Sequence, residues 1–251
     1  MSNNVERFSN RVENYVKYRP DYPGEIIPFL VGNCGLTKET IVADVGCGTG
    51  ISSRMFLENG NRVFGVEPNQ SMREAAVKFL VKFPWFIAVD GTSDATTLAD
   101  ASVDIVTAAQ AFHWFDPETT KQEFQRILKP DGHIILIWNE RQLDTTPFLI
   151  EYEAFLIKYA SDYGSVRHEN VDATELRGFF KKEYGSATFP NTQIFDFEGL
   201  KGRMLSASYM PSGLDPIYEQ MIEELQVLFA KHNENGKIKV LYDTNVFFSQ
   251  V

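Results

Sequence analysis

Cysteine is scarce in this chain. Cys34 and Cys47 are the two in 251 residues, too few for a disulfide framework or a cysteine-rich zinc site, so a reducing compartment is the simplest reading. Basic charge is in deficit, with 24 Lys+Arg against 34 Asp+Glu, a net charge of −10 and a pI near 5.0. That balance argues against holding nucleic acid by the overall field, because phosphate binding needs clustered Lys and Arg; a local basic patch stays open. Long apolar runs are missing too. The richest, Ile134 to Trp138, is far too short to cross a bilayer, and the start, Met1 to Arg7, is polar and lacks a signal-peptide core. A soluble, cytoplasmic protein without a membrane partner is expected. His113, His133, His168 and His232 are scattered without metal-ligand spacing, so no metal is expected. No repeat, low-complexity stretch or Pro/Gly/Ser linker divides the chain, which reads as one domain over 1–251 with a sizeable core.

What is present is an alternation of short apolar runs with helical patterns. Val5, Phe8, Val12, Tyr15 and Val16 have helical spacing, ending before Pro20. Strands are expected at Ile41–Val45, Val63–Glu67, Phe86–Val89, Val103–Ala109 and His133–Trp138. Between them fall helices from Ile51 to Glu58, from about Pro68–Ser71 through Val81, and after Asp116-Pro117, an N-cap followed by proline at the first helical position. Ser71 and Glu74 stand at capping-box spacing, and Lys129-Pro130-Asp131-Gly132 reads as a turn. Strands alternating with helices imply parallel βαβ units, buried on both faces. After Arg141 the rhythm changes. Phe148–Tyr163, Thr174–Tyr184, Gly199–Ser208 and the span carrying Ile217, Met221, Leu225 and Leu228 read as helical. Ala187–Phe197 reads as extended, and Asn235-Gly236 turns into a last strand over Lys237–Phe248. The organisation is thus a core over about 35–141, an elaboration over about 142–235, and a strand over 236–251 that returns to the sheet.

The chemistry concentrates in Asp44-Val45-Gly46-Cys47-Gly48-Thr49-Gly50, between a strand and a helix. Glycines permit a tight turn and a close backbone approach to a ligand, and the helix N-terminus offers free N–H groups. The spacing Gly-x-Gly-x-Gly differs from the Gly-x-Gly-x-x-Gly of dinucleotide enzymes, and no Lys-Ser/Thr follows as in a P-loop. Glu67 ends the next strand, 21 residues after Gly46, where a carboxylate accepts hydrogen bonds from both hydroxyls of a ribose.

These residues resemble the class I S-adenosylmethionine-dependent methyltransferases, in the small-molecule branch that includes trans-aconitate methyltransferases. Asp44–Gly50 resembles the first motif of that family and Val63–Asn69 its second. Gly91–Ala95 is similar to the segment framing the adenine, Ala109–Phe115 to a run typical of the branch, and Leu128–Gly132 to the turn before the fifth strand. Tyr15–Pro20 and Leu205–Pro211 resemble its N-terminal segment and substrate lid. The resemblance implies a Rossmann-like α/β fold with a seven-stranded, mostly parallel sheet, helices on both faces and a helical elaboration in the last third.

It also implies roles. Gly46, Cys47, Gly48 and Gly50 line the amino-acid end of S-adenosylmethionine, or of the product S-adenosylhomocysteine, and Asp44 holds its ammonium. Glu67 binds the ribose, Pro68, Asn69 and Met72 lie near the adenine, and Thr92, Ser93 and Asp94 bracket its edge. Many relatives have Asp where this chain has Thr92, and Asp90 is either a substitute or a strand-end turn residue. Ala109 and Gln110 complete the cofactor site. His113 is either a general base or, with Trp114, part of an aromatic wall beside the methyl. Aromatic rings at Phe112, Trp114, Phe115, Tyr15, Tyr18 and Tyr209 favour a cationic donor if they face it, and are core packing if they do not.

The expected reaction is methyl transfer to a small molecule, with a carboxylic acid as one option. Candidate acceptor residues are Tyr15, Tyr18, Arg19, Arg141, Arg203 and Tyr209, with Arg167 and His168 in the same elaborated third; scattered surface arginines are the alternative. A nicotinamide-dependent dehydrogenase conflicts with the glycine spacing. A non-catalytic module that binds the donor stays open, as do the acceptor and the oligomeric state. The −10 charge counts against a nucleic acid acceptor.

Overall fold

The computed structural model describes residues 17–160, 173–180, 183–207, 209–211 and 213–251. The helix expected over Val5–Val16, Tyr15, Arg167, His168 and Ser208 lie outside them. Short apolar runs form a parallel ladder of β1 (Ile41–Val45), β2 (Arg62–Val66), β3 (Phe86–Val89), β4 (Val103–Ala109) and β5 (Leu128–Arg141). β6 (Gly185–Phe195) and β7 (Ile238–Gln250) complete a seven-stranded sheet ordered β3-β2-β1-β4-β5-β7-β6, with β7 antiparallel to both neighbours. The strand order reverses at the β1/β4 boundary, so the crevice there opens at the carboxyl ends of the strands.

Alternate residues of each strand feed opposite faces. Val42, Val63, Ile105, Ile135 and Ile137 pack with α1 (Ile26–Cys34) and α2 (Ile51–Asn59). Ala43, Val66, Val106, Ile134 and Leu136 pack with α4 (Pro117–Ile127) and α6 (Ala173–Phe180). α3 (Gln70–Phe79) lies between β2 and β3 in the chain. A third cluster joins α5 (Pro147–Tyr159), α7 (Phe197–Leu205), α8 (Tyr218–His232) and the start of β7. No helix among the described residues is long and apolar enough to cross a membrane.

The element limits depart from the sequence reading in instructive ways. α1 was not expected, although Ile26, Leu30 and Cys34, its buried side chains, have helical spacing. α3 is capped by Asn69, whose Oδ1 accepts from the Met72 N–H, so Ser71 lies inside the first turn and is no cap. The turn at 129–132 is absorbed into β5 as an irregularity: Val103 faces Leu128, then Ile105 faces His133. Asp116 does cap α4, with Pro117 next. Thr146 caps α5 the same way, accepting from the Leu149 N–H. Thr146→Ala is expected to cost about 1 kcal/mol, a fall in Tm of about 2–4 °C by calorimetry.

Candidate active site

β1 delivers the chain into a turn in which Gly46 and Gly50 hold φ of 71° and 86°. The N–H groups of Gly46 and Cys47 both donate to the Val66 carbonyl, at 2.8 and 3.2 Å, tying the turn to the end of β2. A Cβ on Gly46 would lie 2.6 Å from Ala111 Cβ and 3.1 Å from Phe115 Cζ; on Gly50 it would lie 2.6 Å from Leu80 Cδ1. Backbone conformation and space both exclude a side chain there.

Asp44, at the end of β1, is fully buried. Its Oδ2 accepts from the hydroxyls of Ser52 and Ser53 in the first turn of α2, both at 2.6 Å, while Oδ1 is buried with no hydrogen-bond partner among the described residues. Burial pushes its carboxyl up to about 6, against the pull of the two serines. The folded chain therefore holds this proton more tightly than the unfolded chain. The stability Asp44 contributes is fully present below its ordinary value of 3.8 and is lost as pH rises through about 6. Asp44→Asn is expected to gain on the native chain across that window, reaching about 3 kcal/mol at pH 7; urea unfolding at pH 4 and pH 7 measures the difference.

Glu67 follows β2 and is nearly buried. Its Oε2 accepts from the Gly48 N–H at 3.0 Å and its Oε1 from the Asn69 N–H at 2.9 Å. Burial raises its pKa, opposed by those two bonds and by Arg73. Arg73 donates to the Glu67 carbonyl at 2.7 Å and pairs with Asp90 at 3.1 Å, which gives Asp90 a partner within the fold. Met72 is buried beneath Gly48, and Pro68 is exposed. Thr92 and Ala95 exchange backbone hydrogen bonds at 3.1 and 3.3 Å, Ser93 Oγ lies 3.0 Å from Thr120 Oγ1, and Asp94 is exposed. Below this loop Glu123 accepts from the Thr96 N–H; its hydrogen bonds from Arg126 hold its carboxyl down at about 2.

At the end of β4, Ala109 is buried and Gln110 holds a left-handed φ of 56°, an unusual backbone for glutamine that concentrates at functional positions. Its Nε2 donates to the Asn139 carbonyl on β5 at 3.0 Å, and its Oε1 is buried with no hydrogen-bond partner among the described residues. A short 3-10 helix, Phe112–Trp114, follows. Phe112 is core, edge-on to Phe115, Trp138 and Phe179, whereas Phe115 presses on the glycine turn. His113 is half-buried with its ring 4.8 Å from that of Trp114, which is 38% exposed. Burial, with Arg19 adding to it, pushes His113 down to about 4.

The remaining predicted residues gather beside β5. Tyr18 packs on Gly202 of α7, and Arg19 donates to the Ser206 carbonyl at 3.4 Å. The Asp21 carbonyl accepts from Asn139 and Asn191, and its carboxylate pairs with Arg54 of α2. Arg141, Arg203 and Tyr209 line one small recess with Tyr152 and Tyr242. Arg141 is ion-paired with Glu153 and lies over the Tyr152 ring; Arg203 Nε donates to the Tyr242 hydroxyl at 3.2 Å. Sequence reasoning missed Ser52, Ser53, Arg73, Asn139, Tyr152 and Tyr242. The serines alone carried a signal, as hydroxyls in the first turn after the glycines. Among the described residues no His/Cys/Asp/Glu group is arranged to hold a metal.

A glycine turn thus stands at the switch point of the sheet, with one buried carboxylate beneath it and another at the end of β2. Residues 43–136 match the family model described as a methyltransferase domain. An uncharacterised methyltransferase-like protein, C25B8.10 of Schizosaccharomyces pombe, is 29% identical over 98% of this chain and 96% of its own. The uncharacterised methyltransferase Rv3342 of Mycobacterium tuberculosis is 37% identical over 53% of this chain and 52% of its own. A structure from Anaeromyxobacter dehalogenans, described as a type II methyltransferase, shares the fold with a TM-score of 0.68 at 18% identity, covering 93% of this chain and 98% of that one. These similarities support S-adenosylmethionine-dependent methyltransferase activity for this chain.

Proposed function

We propose that this chain transfers a methyl group from S-adenosylmethionine to a small acceptor that carries a carboxylate. One observation carries the donor assignment: both carboxylates at the glycine turn keep acceptor capacity. Asp44 Oδ1 is buried without a hydrogen-bond partner among the described residues, and each Glu67 oxygen spends one lone pair on a backbone N–H and retains another. A cationic ammonium and a pair of ribose hydroxyls fit those positions.

When bound, the donor supplies a methyl already activated on a sulfonium, open to in-line displacement. The protein's part is to position and dehydrate. Gly46, Cys47, Gly48 and Gly50 admit the amino-acid end to the backbone, and Asp44 holds the ammonium. Glu67 orients the ribose, Asn69, Met72 and Pro68 border the adenine, and Thr92, Ser93 and Asp94 flank its edge. Ala109 and Gln110 line the floor where β4 ends. Fixing both reactants this way supplies roughly 7–11 kcal/mol of the barrier.

His113 and Trp114 border the acceptor side with Tyr18 and Arg19, and burial, which pushes His113 down to about 4, makes its imidazole a weak base and favours the wall. An NMR titration of its ring is expected to show a midpoint near 4, leaving turnover without a histidine inflection between pH 5 and 8. Arg141, Arg203 and Tyr209 face the acid group of the acceptor, in keeping with the small-molecule branch that the motifs resemble, and buried thiols at Cys34 and Cys47 suit a reducing cytoplasm.

The test is transfer of labelled methyl from S-adenosylmethionine to a panel of small carboxylic acids, phenols and amines. Incorporation into acid-bearing acceptors is expected. Tight donor binding with no transfer to any member would instead identify a non-catalytic module.

A further inference from the structure

We infer that Asn139 is a positioning residue for methyl transfer: its side chain clasps residues 18–21 against the sheet while its main-chain carbonyl fixes Gln110, which sets the acceptor side in register with the donor floor. This rests on the methyl-transfer reading and adds to it a residue that acts through its neighbours.

Asn139 stands near the end of β5, opposite Thr244 of β7, and is 6% exposed. Its Oδ1 accepts from the Thr244 hydroxyl and, at 3.1 Å, from Asn191 Nδ2 of β6. With the oxygen fixed on that side, Nδ2 is turned to the Asp21 carbonyl and donates to it at 3.2 Å. Asn191 is oriented as tightly. The Thr192 N–H donates to its Oδ1 at 2.8 Å, and its Nδ2 reaches the same Asp21 carbonyl at 2.7 Å. Both lone pairs of that carbonyl are thereby used. Two residues further along β6, Gln193 Nε2 donates to the Tyr18 carbonyl at 3.0 Å, and its Oε1 accepts from the Tyr242 hydroxyl at 2.8 Å. Three amides, each oriented by a further hydrogen bond, hold the segment at both ends in one arrangement.

Between the two grips lies Arg19. It donates to the carbonyl of Ser206 at the end of α7, and its positive charge adds to the burial that keeps the His113 imidazole neutral. The clasp therefore delivers Tyr18 and Arg19 to the side of the sheet where Phe112–Trp114 follows β4. The donor floor is tied to the same residue, because Gln110 Nε2 donates to the Asn139 carbonyl. A misplacement of about 1 Å between reactants can cost about 100-fold in rate, so a reference shared by both sides bears on turnover.

His113 is the reporter of the clasp, with a midpoint held at about 4 against an ordinary 6.5 by burial and by Arg19. Its ring is titrated by NMR in the native chain, Asn139→Ala, Thr244→Val and Thr244→Ser. Thr188→Ala is the control, because it loses a hydrogen bond to Asn245 between β6 and β7. Releasing residues 18–21 should raise the midpoint by about one unit or more in Asn139→Ala and Thr244→Val. Thr244→Ser, which keeps the hydroxyl, and Thr188→Ala should match the native chain. S-Adenosylhomocysteine should bind native and Asn139→Ala chains within about threefold by calorimetry, since the carbonyl that holds Gln110 remains. No binding to the native chain would defeat the donor reading and leave the midpoints to decide the clasp. With an acid that the native chain methylates, Asn139→Ala should lower kcat/KM about tenfold or more. The inference is overturned if folded Asn139→Ala keeps the native midpoint or the native kcat/KM, or if it loses donor affinity as well. It is also overturned if Thr188→Ala shifts the midpoint equally, or if Thr244→Ser shifts it as far as Thr244→Val. Should Asn139→Ala fail to fold, Thr244→Val carries the test, and a native midpoint there overturns the inference.

Discussion

Glu67→Ala is expected to weaken S-adenosylmethionine binding by about 100-fold or more while the chain stays folded. Glu67 sits where β2 ends, bonded to the Gly48 and Asn69 N–H groups, which leaves each oxygen a further lone pair to accept from a ligand. Two hydrogen bonds from ribose hydroxyls to a charged acceptor are worth about 1.5–3 kcal/mol each, so losing both costs at least about 3 kcal/mol of affinity. The Gly48 N–H also loses its acceptor, which loosens the turn the donor must contact. Calorimetric titration of native and variant chains reads the affinity, and a melting curve separates lost binding from lost fold. A dissociation constant within about threefold of native would show that the ribose lies elsewhere.

Gly46→Ala is the second large effect. The added methyl meets Ala111 Cβ at 2.6 Å and Phe115 at 3.1 Å, in a backbone of positive φ. Strain of about 1–3 kcal/mol is expected from each source, and relief requires the turn to move off the segment after β4 that carries Ala111 and Phe115. Donor binding should then fall below detection at millimolar ligand, with a Tm lowered by several degrees. Gly24→Ala, where a Cβ meets nothing, is the control and should change neither. Native-like binding by Gly46→Ala would mean that this turn does not approach the ligand.

The parallel core was legible because strands buried on both faces read as short apolar runs, and β1, β3 and β4 fell where those runs fall. The glycine turn and Glu67 were legible for a related reason: glycines with forced backbone angles and a carboxylate at a strand end are local features. Where several local signals competed, the sequence was ambiguous. Ser71 with Glu74 and Asn69 with Met72 are two caps two residues apart, and only the extended backbone of Asn69 decides between them. The apolar positions of α1 passed unnoticed behind Pro20 and Pro23, with Pro28 inside the helix itself. Contacts distant in the chain were out of reach altogether. Nothing in the spacing shows that Glu153 neutralises Arg141, that Tyr242 receives Arg203, or that Asn139 ties Gln110 to Asp21 and Thr244. The arginines of the last third were visible as residue types, and their unequal partners, Glu153 for Arg141 and the Tyr242 hydroxyl for Arg203, emerge only when α5, α7 and β7 are packed.

The central claim, that the glycine turn and Glu67 form the donor site, is tested most directly by a crystal structure with S-adenosylhomocysteine. The account predicts both ribose hydroxyls within about 3.2 Å of the Glu67 carboxylate and the amino-acid end over Gly46–Gly48 beside Asp44. A ligand seated away from Glu67, with the turn unchanged and free of contact, would contradict it.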